Sequence, residues 1–292
     1  MNQEATYQET YPKLFALAYR MTGSVSDAED VIQEAWTRLL DQPVGKIESP
    51  PKWLYRTVSN LAIDSLRSAK RTATGYHGPW LPEPVSPDTY FRGPEAEAIV
   101  REDISMALLL MLENLSQVQR AVWVLRTSLE LSFAEIGKIV DRTEQTCRQI
   151  FHRASKLMGE PNDRALNTAP SVLVDQFLGA VQSGDVSSVA NLLMEDSTWI
   201  GDGGGVKPAT MRPVVGADKV ARGLTSLVSK QADEWQMEFA TINGARGLLV
   251  YLHDELDAAY LFLGTETHIT HVLTVRNPHK LKGIVSRKSG LN

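Results

Sequence analysis

The side chains best suited to binding chemistry form a row on one predicted helix. Asn60, Asp64, Arg67 and Arg71 are spaced by three or four residues, so they share one helical face. Lys70 adds another basic group beside them. Amide, carboxylate and guanidinium groups in such a row can hydrogen-bond to bases and phosphates. The pattern predicts a surface that binds nucleic acid without covalent chemistry.

The preceding helix presents a different surface. Ile32, Ala35, Trp36 and Leu39 recur at helical spacing and predict one apolar stripe. The polar residues off that stripe predict an acidic face that suits a basic or amphipathic protein partner. These residues are Asp27, Asp30, Gln33 and Glu34.

Together the two helices resemble a known motif. The first reads D-A-E-D-x-x-Q-E-A from Asp27, and the second reads W-L-x-x-x-x-x-N-x-x-x-D-x-x-R from Trp53. This resembles region two of sigma-seventy-type transcription initiation factors, most closely the extracytoplasmic-function group. The resemblance implies that the acidic helix docks on the clamp helices of the RNA polymerase large subunit. It also implies that the Asn/Asp/Arg row and the loop before it capture the melted upstream promoter element.

Composition sets the limits of this interpretation. The chain has 292 residues, enough for two or three domains, and a net charge of -5. Its basic character is local, because the stretch 52–71 carries five Lys and Arg residues against Asp64 alone. Cys147 is the one cysteine, which excludes an intramolecular disulfide. The N-terminus is polar, and no apolar run approaches the roughly 20 residues of a membrane span. We expect a cytoplasmic protein that does not enter a membrane.

Residues 1–72 are predicted to be a helical bundle, with a first helix over 7–22 and Ser26 or Asp27 capping the next. Residues 73–94 are a Pro-rich linker whose aromatic residues predict docking rather than a floppy tether. Its Y-H-G-P-W-L-P-E-P sequence resembles the linker signature of a sigma subgroup with a large C-terminal extension. The residues expected to dock are Trp80, Leu81, Pro82, Glu83 and Pro84.

Residues 95–158 are predicted to be helical and to end in a helix-turn-helix. Ser132 can cap a helix through Val140, Asp141 can make the turn, and Thr143 can cap a second helix. This resembles region four of the same family, whose second helix reads the distal promoter element in the major groove. Three small residues depart from the usual pattern and predict looser packing: Gly137, Asp141 and Cys147. The residues expected to face DNA are Arg148, Gln149, His152, Arg153 and Lys156.

After a second linker, 159–169, residues 170–292 show an α+β pattern. Helices over 172–182, 186–194 and 217–229 accompany five strand-like runs, which begin at Ser197, Trp235, Gly247, Ala258 and His268. This order resembles the SnoaL-like domain of the ketosteroid-isomerase superfamily, a cone with a pocket around a curved antiparallel sheet. The D-G-G-G and N-P-x-K-L signatures of the same extended sigma subgroup are represented by Asp202, Gly203, Gly204, Asn277, Pro278, Lys280 and Leu281.

A pocket raises the question of catalysis. Asp202, His253, Asp254, His268 and His271 could supply acid–base groups, but no pair has diagnostic spacing. His268 and His271 would point to opposite faces of a strand, and no cysteine pairs with them in a zinc pattern. We therefore expect no enzymatic activity, no catalytic residue, no metal site and no cofactor.

The fold class expected is multidomain: two all-α sigma domains and an α+β SnoaL-like cone. The predicted function is a sigma factor whose partners are core polymerase and promoter DNA, regulated in cis by the C-terminal domain. The linker aromatics are expected to contact the two C-terminal signatures, and the binding of a small ligand in the pocket is left open.

The alternatives are a DNA-binding regulator fused to a small-molecule-binding or isomerase/hydrolase-like domain, and a free-standing helix-turn-helix repressor. The basic tail 276–288 could contact DNA or polymerase, pack on region two, or be solvated.

Overall fold

The computed structural model describes residues 3–43, 46–72, 76–86, 104–159, 167–231 and 234–284. The first part of the described chain is helical. None of the helices in these ranges is long and apolar enough to cross a membrane. The helices of this part are α1 (Gln3–Thr22), α2 (Val25–Leu40), α3 (Pro50–Thr72), α4 (Met106–Glu113), α5 (Gln117–Ser128), α6 (Phe133–Val140) and α7 (Glu144–Met158).

Helices α1, α2 and α3 pack around one core. The predicted stripe of α2 is confirmed, because Ile32, Ala35 and Leu39 are buried. Trp36 of the same stripe is half-buried, and its ring lies 4.7 Å from that of Tyr7. The stripe therefore fixes which face of α2 stays outside.

The cap predicted for α2 is wrong by two or three positions. Ser24 is the N-cap residue, and its Oγ accepts a hydrogen bond from Asp27 N at 3.2 Å. Ser26 and Asp27, the predicted caps, lie inside the first turn of the helix. Gly23, with a φ of 70°, follows the last residue of α1, and only Gly23 and Ser24 lie between the two helices, so the cap must come early.

The helix-turn-helix forms where the sequence predicts it. Ser132 caps α6 in a capping box with Glu135, and Thr143 caps α7. Asp141 adopts the left-handed conformation, with φ of 55° and ψ of 59°. The predicted caps and turn are therefore confirmed.

Gly137 on α6 is packed more tightly than the sequence predicts. Arg142 N donates a hydrogen bond to Gly137 O over 3.0 Å. A Cβ at position 137 would lie 2.5 Å from the carbonyl oxygen of Arg142. The predicted looser packing is wrong here, because the turn closes directly onto this glycine.

The C-terminal part is an α+β domain. Its predicted antiparallel sheet is mixed, because β1 pairs with β6 in parallel, and the strand order is β2-β1-β6-β5-β4-β3. The elements are α8 (Ser171–Ser183), α9 (Val186–Asn191), β1 (Leu193–Asp202), β2 (Val214–Val215), α10 (Ala217–Gln231), β3 (Trp235–Ile242), β4 (Ala245–Leu252), β5 (Glu255–Gly264) and β6 (Ile269–Val275).

Most predicted elements of this domain are confirmed, with two changes at β1 and β2. The helix expected over 186–194 ends at Asn191, because Leu193 already pairs with Ile269 of β6. The short strand β2 was not predicted, and it pairs through Thr198 with Val215. The helices cover one face of the sheet. There the ring of Phe177 on α8 packs against that of Phe262 on β5, with 5.8 Å between the ring centroids.

The contacts divide the described residues into two compact units. The first contains α1–α3, most of α4, and α5–α7. The second contains the start of α4, residues 76–86 and everything from residue 167 onwards. Residues 76–86, called the linker segment below, have no helix or strand of their own and form part of the second unit.

Candidate functional site

The carboxylate of Asp202 is the centre of the linker contact. Asp202 ends strand β1 and is fully buried. Its Oδ1 accepts hydrogen bonds from Tyr76 Oη at 2.6 Å and from Gly204 N at 3.0 Å. Its Oδ2 accepts from Leu81 N at 2.8 Å and from Lys280 Nζ at 2.7 Å. One carboxylate therefore joins the linker segment to two separate parts of the C-terminal domain.

The ammonium group of Lys280 is enclosed by this carboxylate and by the linker segment. Its Nζ lies 4.0 Å from the ring centroid of Trp80 and 5.0 Å from that of Tyr76. It also donates to Leu81 O at 2.5 Å. Because the side chain is only 6% exposed, the cation depends on these groups for its solvation.

The glycine turn after β1 allows a close approach to the linker segment. Gly204 and Gly205 have φ values of 59° and 74°. A Cβ at position 204 would lie 2.2 Å from Asn277 Nδ2, and one at position 205 would lie 3.0 Å from the Cβ of His77. Asn277 Nδ2 in turn donates to Tyr76 Oη at 3.1 Å. The two C-terminal signatures therefore meet each other and the linker segment at one place.

A second attachment lies further along the linker segment. Val85 N donates to Asn243 Oδ1 at 3.0 Å, and Asn243 N donates to Val85 O at 2.8 Å. Ser86 N donates to Gly283 O at 3.4 Å. Leu81 and Val85 are 1% and 0% exposed, so their side chains belong to the core of the domain.

The hydroxyl of Tyr76 stays protonated at neutral pH. Burial raises the pKa of Tyr76, and the hydrogen bond that it donates to Asp202 raises this pKa further. The hydrogen bond from Asn277 acts in the opposite direction but is the weaker influence. The tyrosine is therefore a neutral donor to the buried carboxylate.

The structure brings the predicted regulatory residues together. Trp80 and Glu83 are half-buried in the linker segment, and Leu81, Pro82 and Pro84 are buried. Tyr76, which opens the Y-H-G-P-W sequence, is one of the linker aromatics predicted to dock. Nothing in the sequence points to Asn243. On the domain side, Gly203, Asn277, Lys280 and Leu281 are buried, and Pro278 is half-buried.

The basic C-terminal segment is not simply a solvated tail. Arg276 forms an ion pair with Asp257 at 2.7 Å, and Lys280 forms one with Asp202. Lys282 is exposed. The rest of the predicted basic tail, from residue 285, lies outside the described residues.

The predicted polymerase-binding face lies on the exposed side of α2. Asp30, Gln33 and Glu34 are exposed, and Glu34 Oε1 accepts from Arg38 Nε at 2.8 Å. Asp27 is half-buried, and both burial and the nearby Asp30 carboxylate raise the pKa of Asp27. The face is acidic along one stripe, as the sequence predicts.

The predicted row for melted DNA lies on α3. Asn60 and Asp64 are exposed on that helix. Arg67, Lys70 and Arg71 belong to the helix, but their side chains lie outside the described part of the structure. The described half of the row is thus accessible from solvent.

The second helix of the helix-turn-helix, α7, presents a polar face. Arg148 is held by an ion pair with Glu144 at 2.5 Å, and its guanidinium lies 5.0 Å from the Phe133 ring. Cys147 is buried on the opposite side, where burial raises the pKa of its thiol. The predicted DNA-facing residues Arg148, Gln149, His152, Arg153 and Lys156 are all exposed.

Two buried arginines connect the three-helix bundle with α5. Arg120 Nη1 donates to Met21 O at 3.1 Å and pairs with Glu113 at 2.6 Å. Arg20 donates to Ser128, and burial lowers the pKa of Arg20 to about 10. The sequence gives no sign that either residue is buried, because arginine is ordinarily a surface residue.

A cavity of about 430 Å³, its mouth included, lies between α8, α10 and the sheet. Tyr260 is its one titratable lining residue, and burial raises the pKa of Tyr260 to about 12. The remaining walls are almost entirely apolar and include Phe177, Leu224, Trp235, Met237, Leu248 and Phe262.

The acid–base candidates lie elsewhere. His253 and Asp254 form the β4–β5 turn, and His268 precedes β6 and bonds to Thr267. His271 lies on β6, where burial lowers its pKa, and Asp202 holds the linker segment. Among the described residues, no three His, Cys, Asp or Glu side chains come together as a metal site.

Comparisons with known proteins agree with this arrangement. The family model described as Sigma-70 region 2 matches residues 6–72, and that described as Sigma-70, region 4 matches residues 105–158. The ECF RNA polymerase sigma factor SigJ of Mycobacterium tuberculosis (strain ATCC 25618 / H37Rv) is 36% identical over 244 residues, covering 80% of this chain and 76% of that protein. SigW of Bacillus subtilis (strain 168), also an ECF sigma factor, is 31% identical over 155 residues, covering 50% and 81%.

The similarity extends to the whole described fold. The crystal structure of the M. tuberculosis extracytoplasmic-function sigma factor SigJ superimposes with a TM-score of 0.77 at 30% identity, covering 96% of this chain and 98% of that chain. Fold and sequence thus define a sigma-70-type transcription initiation factor. The chain belongs to the extracytoplasmic-function RNA polymerase sigma factors, and it carries a SnoaL-like C-terminal domain.

This family directs core RNA polymerase to promoter DNA and starts transcription. The predicted function as a sigma factor is therefore confirmed. The acidic helix α2 falls within the matched region two, which decides against a free-standing repressor. The same match decides against a DNA-binding regulator of another class.

Proposed function

We propose that the C-terminal domain regulates this sigma factor in cis by holding the linker segment. The observation that carries the proposal is the buried Asp202 carboxylate, which accepts hydrogen bonds from Tyr76 and from the backbone of Leu81. The linker segment lies in the chain between region two and region four. A domain that holds this segment therefore acts on the connection between the two promoter-binding domains.

The energetics favour a firm hold. Asp202 and Lys280 are 0% and 6% exposed, and both form hydrogen bonds with Leu81 of the linker segment. A hydrogen bond to a charged group typically contributes about 1.5–3 kcal/mol. The domain is covalently tethered, so its effective concentration at the linker is in the millimolar range. We infer that any state of the protein in which the linker is extended must first break this contact.

We propose that the acidic face of α2 binds polymerase. Its exposed carboxylates complement a basic or polar groove, and complementary charge speeds association. Asp27 contributes less, because it is half-buried. The proposed contacts are Asp27, Asp30, Gln33 and Glu34.

We propose that two helices bind the two promoter elements. The α3 row would hold unstacked bases of the melted upstream element, a mechanism that uses binding energy alone. Helix α7 would read the distal element in the major groove. The contacts are Asn60, Asp64, Arg67, Lys70 and Arg71 on α3, and Arg148, Gln149, His152, Arg153 and Lys156 on α7.

We propose that the C-terminal domain acts by binding and not by catalysis. General acid–base catalysis needs a group that titrates near the working pH and reaches the substrate. The cavity offers Tyr260, with its pKa of about 12, among apolar walls, which suit only an uncharged apolar molecule. A protein that works on polymerase and promoter DNA would act in the cytoplasm.

Run-off transcription with core polymerase tests the cis regulation. Asp202→Asn and Trp80→Ala are expected to shift promoter output in the same direction, because both remove a group that holds Lys280. Core affinity should not change. Asp218→Asn is the matched control, since Asp218 is exposed and forms an ion pair with exposed Arg222 on α10. Wild-type output from both variants, or shifts in opposite directions, would contradict the proposal.

A further inference from the structure

Asp257 is a buried carboxylate for which neither promoter recognition nor the direct linker contact accounts. It lies near the start of β5, and its side chain is 2% exposed. Its Oδ1 accepts from Lys207 Nζ at 2.7 Å. Its Oδ2 accepts from Arg276 Nη2 at 2.7 Å and from Arg276 Nε at 3.1 Å. Burying a charge this fully is costly unless the charge is paired and hydrogen-bonded, so Asp257 depends on Lys207 and Arg276.

Both partners of Asp257 adjoin the residues that hold the linker segment. Lys207 closes the glycine turn, because its backbone N–H donates to Gly203 O at 3.1 Å. Arg276 Nη1 donates to Pro208 O at 2.7 Å and so ties the end of β6 to the same loop.

The backbone completes the connection. The N–H groups of Arg276 and Asn277 both donate to the main-chain carbonyl of Asp202, at 2.7 Å and 3.0 Å. Asn277 then contacts Tyr76 of the linker segment. The position of Arg276 therefore sets the positions of the two groups that bind Tyr76.

We propose that Asp257 is a positioning residue for the linker site. This inference rests on the proposed function. The hydrogen bonds described for Asp257 go to Lys207 and Arg276 and not to residues 76–86. Without its charge, two cations would face each other at the base of the glycine turn, and their repulsion would displace the turn and Asn277.

Hydrogen exchange on the full chain tests the proposal. In Asp257→Asn, the backbone amides of residues 76–86 should exchange at least about tenfold faster than in the wild-type chain. The amides of the buried β4–β5 pair around Val250 and Ala258 should keep their wild-type protection. A merely structural role for Asp257 would accelerate both segments together. Asp175→Asn is the control, because Asp175 forms an ion pair with Arg246 in the same domain and undergoes the same charge change.

A second variant keeps the test decisive if Asp257→Asn does not fold. Lys207→Gln removes the ion pair through which Asp257 holds the glycine turn, while Arg276 stays paired with Asp257. Because the turn loses this attachment, linker exchange should accelerate by a smaller factor than in Asp257→Asn. Lys207→Arg should restore protection. Unchanged linker exchange in Lys207→Gln, or acceleration equal to that of the β4–β5 pair, would overturn the proposal.

Hydrogen exchange of residues 76–86 also distinguishes the positioning role of Asp257 from the linker contact on which it depends. If Asp202→Asn releases residues 76–86 and Asp257→Asn does not, the positioning role is wrong and the linker contact stands. If residues 76–86 exchange like an unfolded chain in the wild type, the linker contact itself is wrong. Transcription provides the second readout, because Asp257→Asn should move promoter output in the direction of Asp202→Asn.

Discussion

The backbone N–H of Leu81 donates to the carboxylate of Asp202 over 2.8 Å, although 121 residues separate the two in sequence. Leu81 belongs to the segment between the two sigma domains, and Asp202 ends the first strand of the C-terminal domain. The domain is therefore built from two separate stretches of chain. A change on either side of this bond should loosen the other.

Gly205→Ala should weaken the linker contact. The new Cβ would lie 3.0 Å from the Cβ of His77, and the residue would keep a φ of 74°. Gly184→Ala is the matched control, because Gly184 has a φ of 77° and nothing within 4 Å of its Cβ position. Backbone strain should lower the free energy of unfolding of both variants by about 1–3 kcal/mol. Protease cleavage within residues 76–86 should rise only in Gly205→Ala, and equal cleavage in both would refute the contact.

Asp30→Arg combined with Glu34→Arg should weaken binding to core polymerase. Both carboxylates are exposed on α2, and reversing their charge would oppose a basic groove. The control is Glu255→Arg with Glu266→Arg, which makes the same charge change on exposed positions of the C-terminal domain. Binding can be measured by pull-down and by salt-dependent titration. Equal affinity for the two double variants would mean that the docking face is misassigned.

Arg148→Ala and Lys156→Ala should affect DNA binding in different ways. A base-reading arginine contributes about 1–3 kcal/mol of discrimination, so Arg148→Ala should relax sequence preference at one position of the distal element. Lys156 lies in the last turn of α7, where it can contact a phosphate. Loss of that contact in Lys156→Ala should weaken binding to all sequences alike and reduce the slope of log affinity against log salt concentration by about one. Binding to a randomised promoter library separates the two results. A uniform loss in Arg148→Ala would count against base readout.

Asn60→Ala and Arg67→Ala should impair promoter opening and leave duplex binding largely intact. Asn60 is exposed on α3, where it can hold an unstacked base. Asn191→Ala makes the same change on an exposed residue of α9 and serves as the control. Permanganate reactivity of thymines near the start site reports opening. Full reactivity in both region-two variants would reject the assigned role of the row.

Local signals in the sequence predicted much of the fold. The caps at Ser132 and Thr143 and the left-handed Asp141 each depend on residues within one turn of helix. Gly137 shows the limit of that reasoning. Position 137 has no room for a Cβ, because the carbonyl oxygen of Arg142 lies against it. That contact forms only when the turn folds, so the local sequence does not reveal it.

Contacts between distant parts of the chain could not be predicted in the same way. The parallel pairing of β1 with β6 joins Trp199 to Val272, and no periodicity within either strand reports its neighbour. The linker motif predicted docking, and Trp80 indeed lies over Lys280. The ion pairs of Asp257 could not be predicted either, because Lys207 and Arg276 lie far from it in sequence, in the loop after β1 and just after β6.

The relative reactivity of Lys280 and Lys282 tests the linker contact most directly. The two lysines are two positions apart in the sequence. The side chain of Lys280 is buried, at 6% exposure, whereas Lys282 is exposed to solvent. Acetylation of the native full chain, followed by mass spectrometry, should label Lys280 far more slowly than Lys282. Trp80→Ala and Asp202→Asn should each raise the labelling of Lys280 toward that of Lys282. Equal labelling of both lysines in the wild-type chain would contradict a linker held by the C-terminal domain.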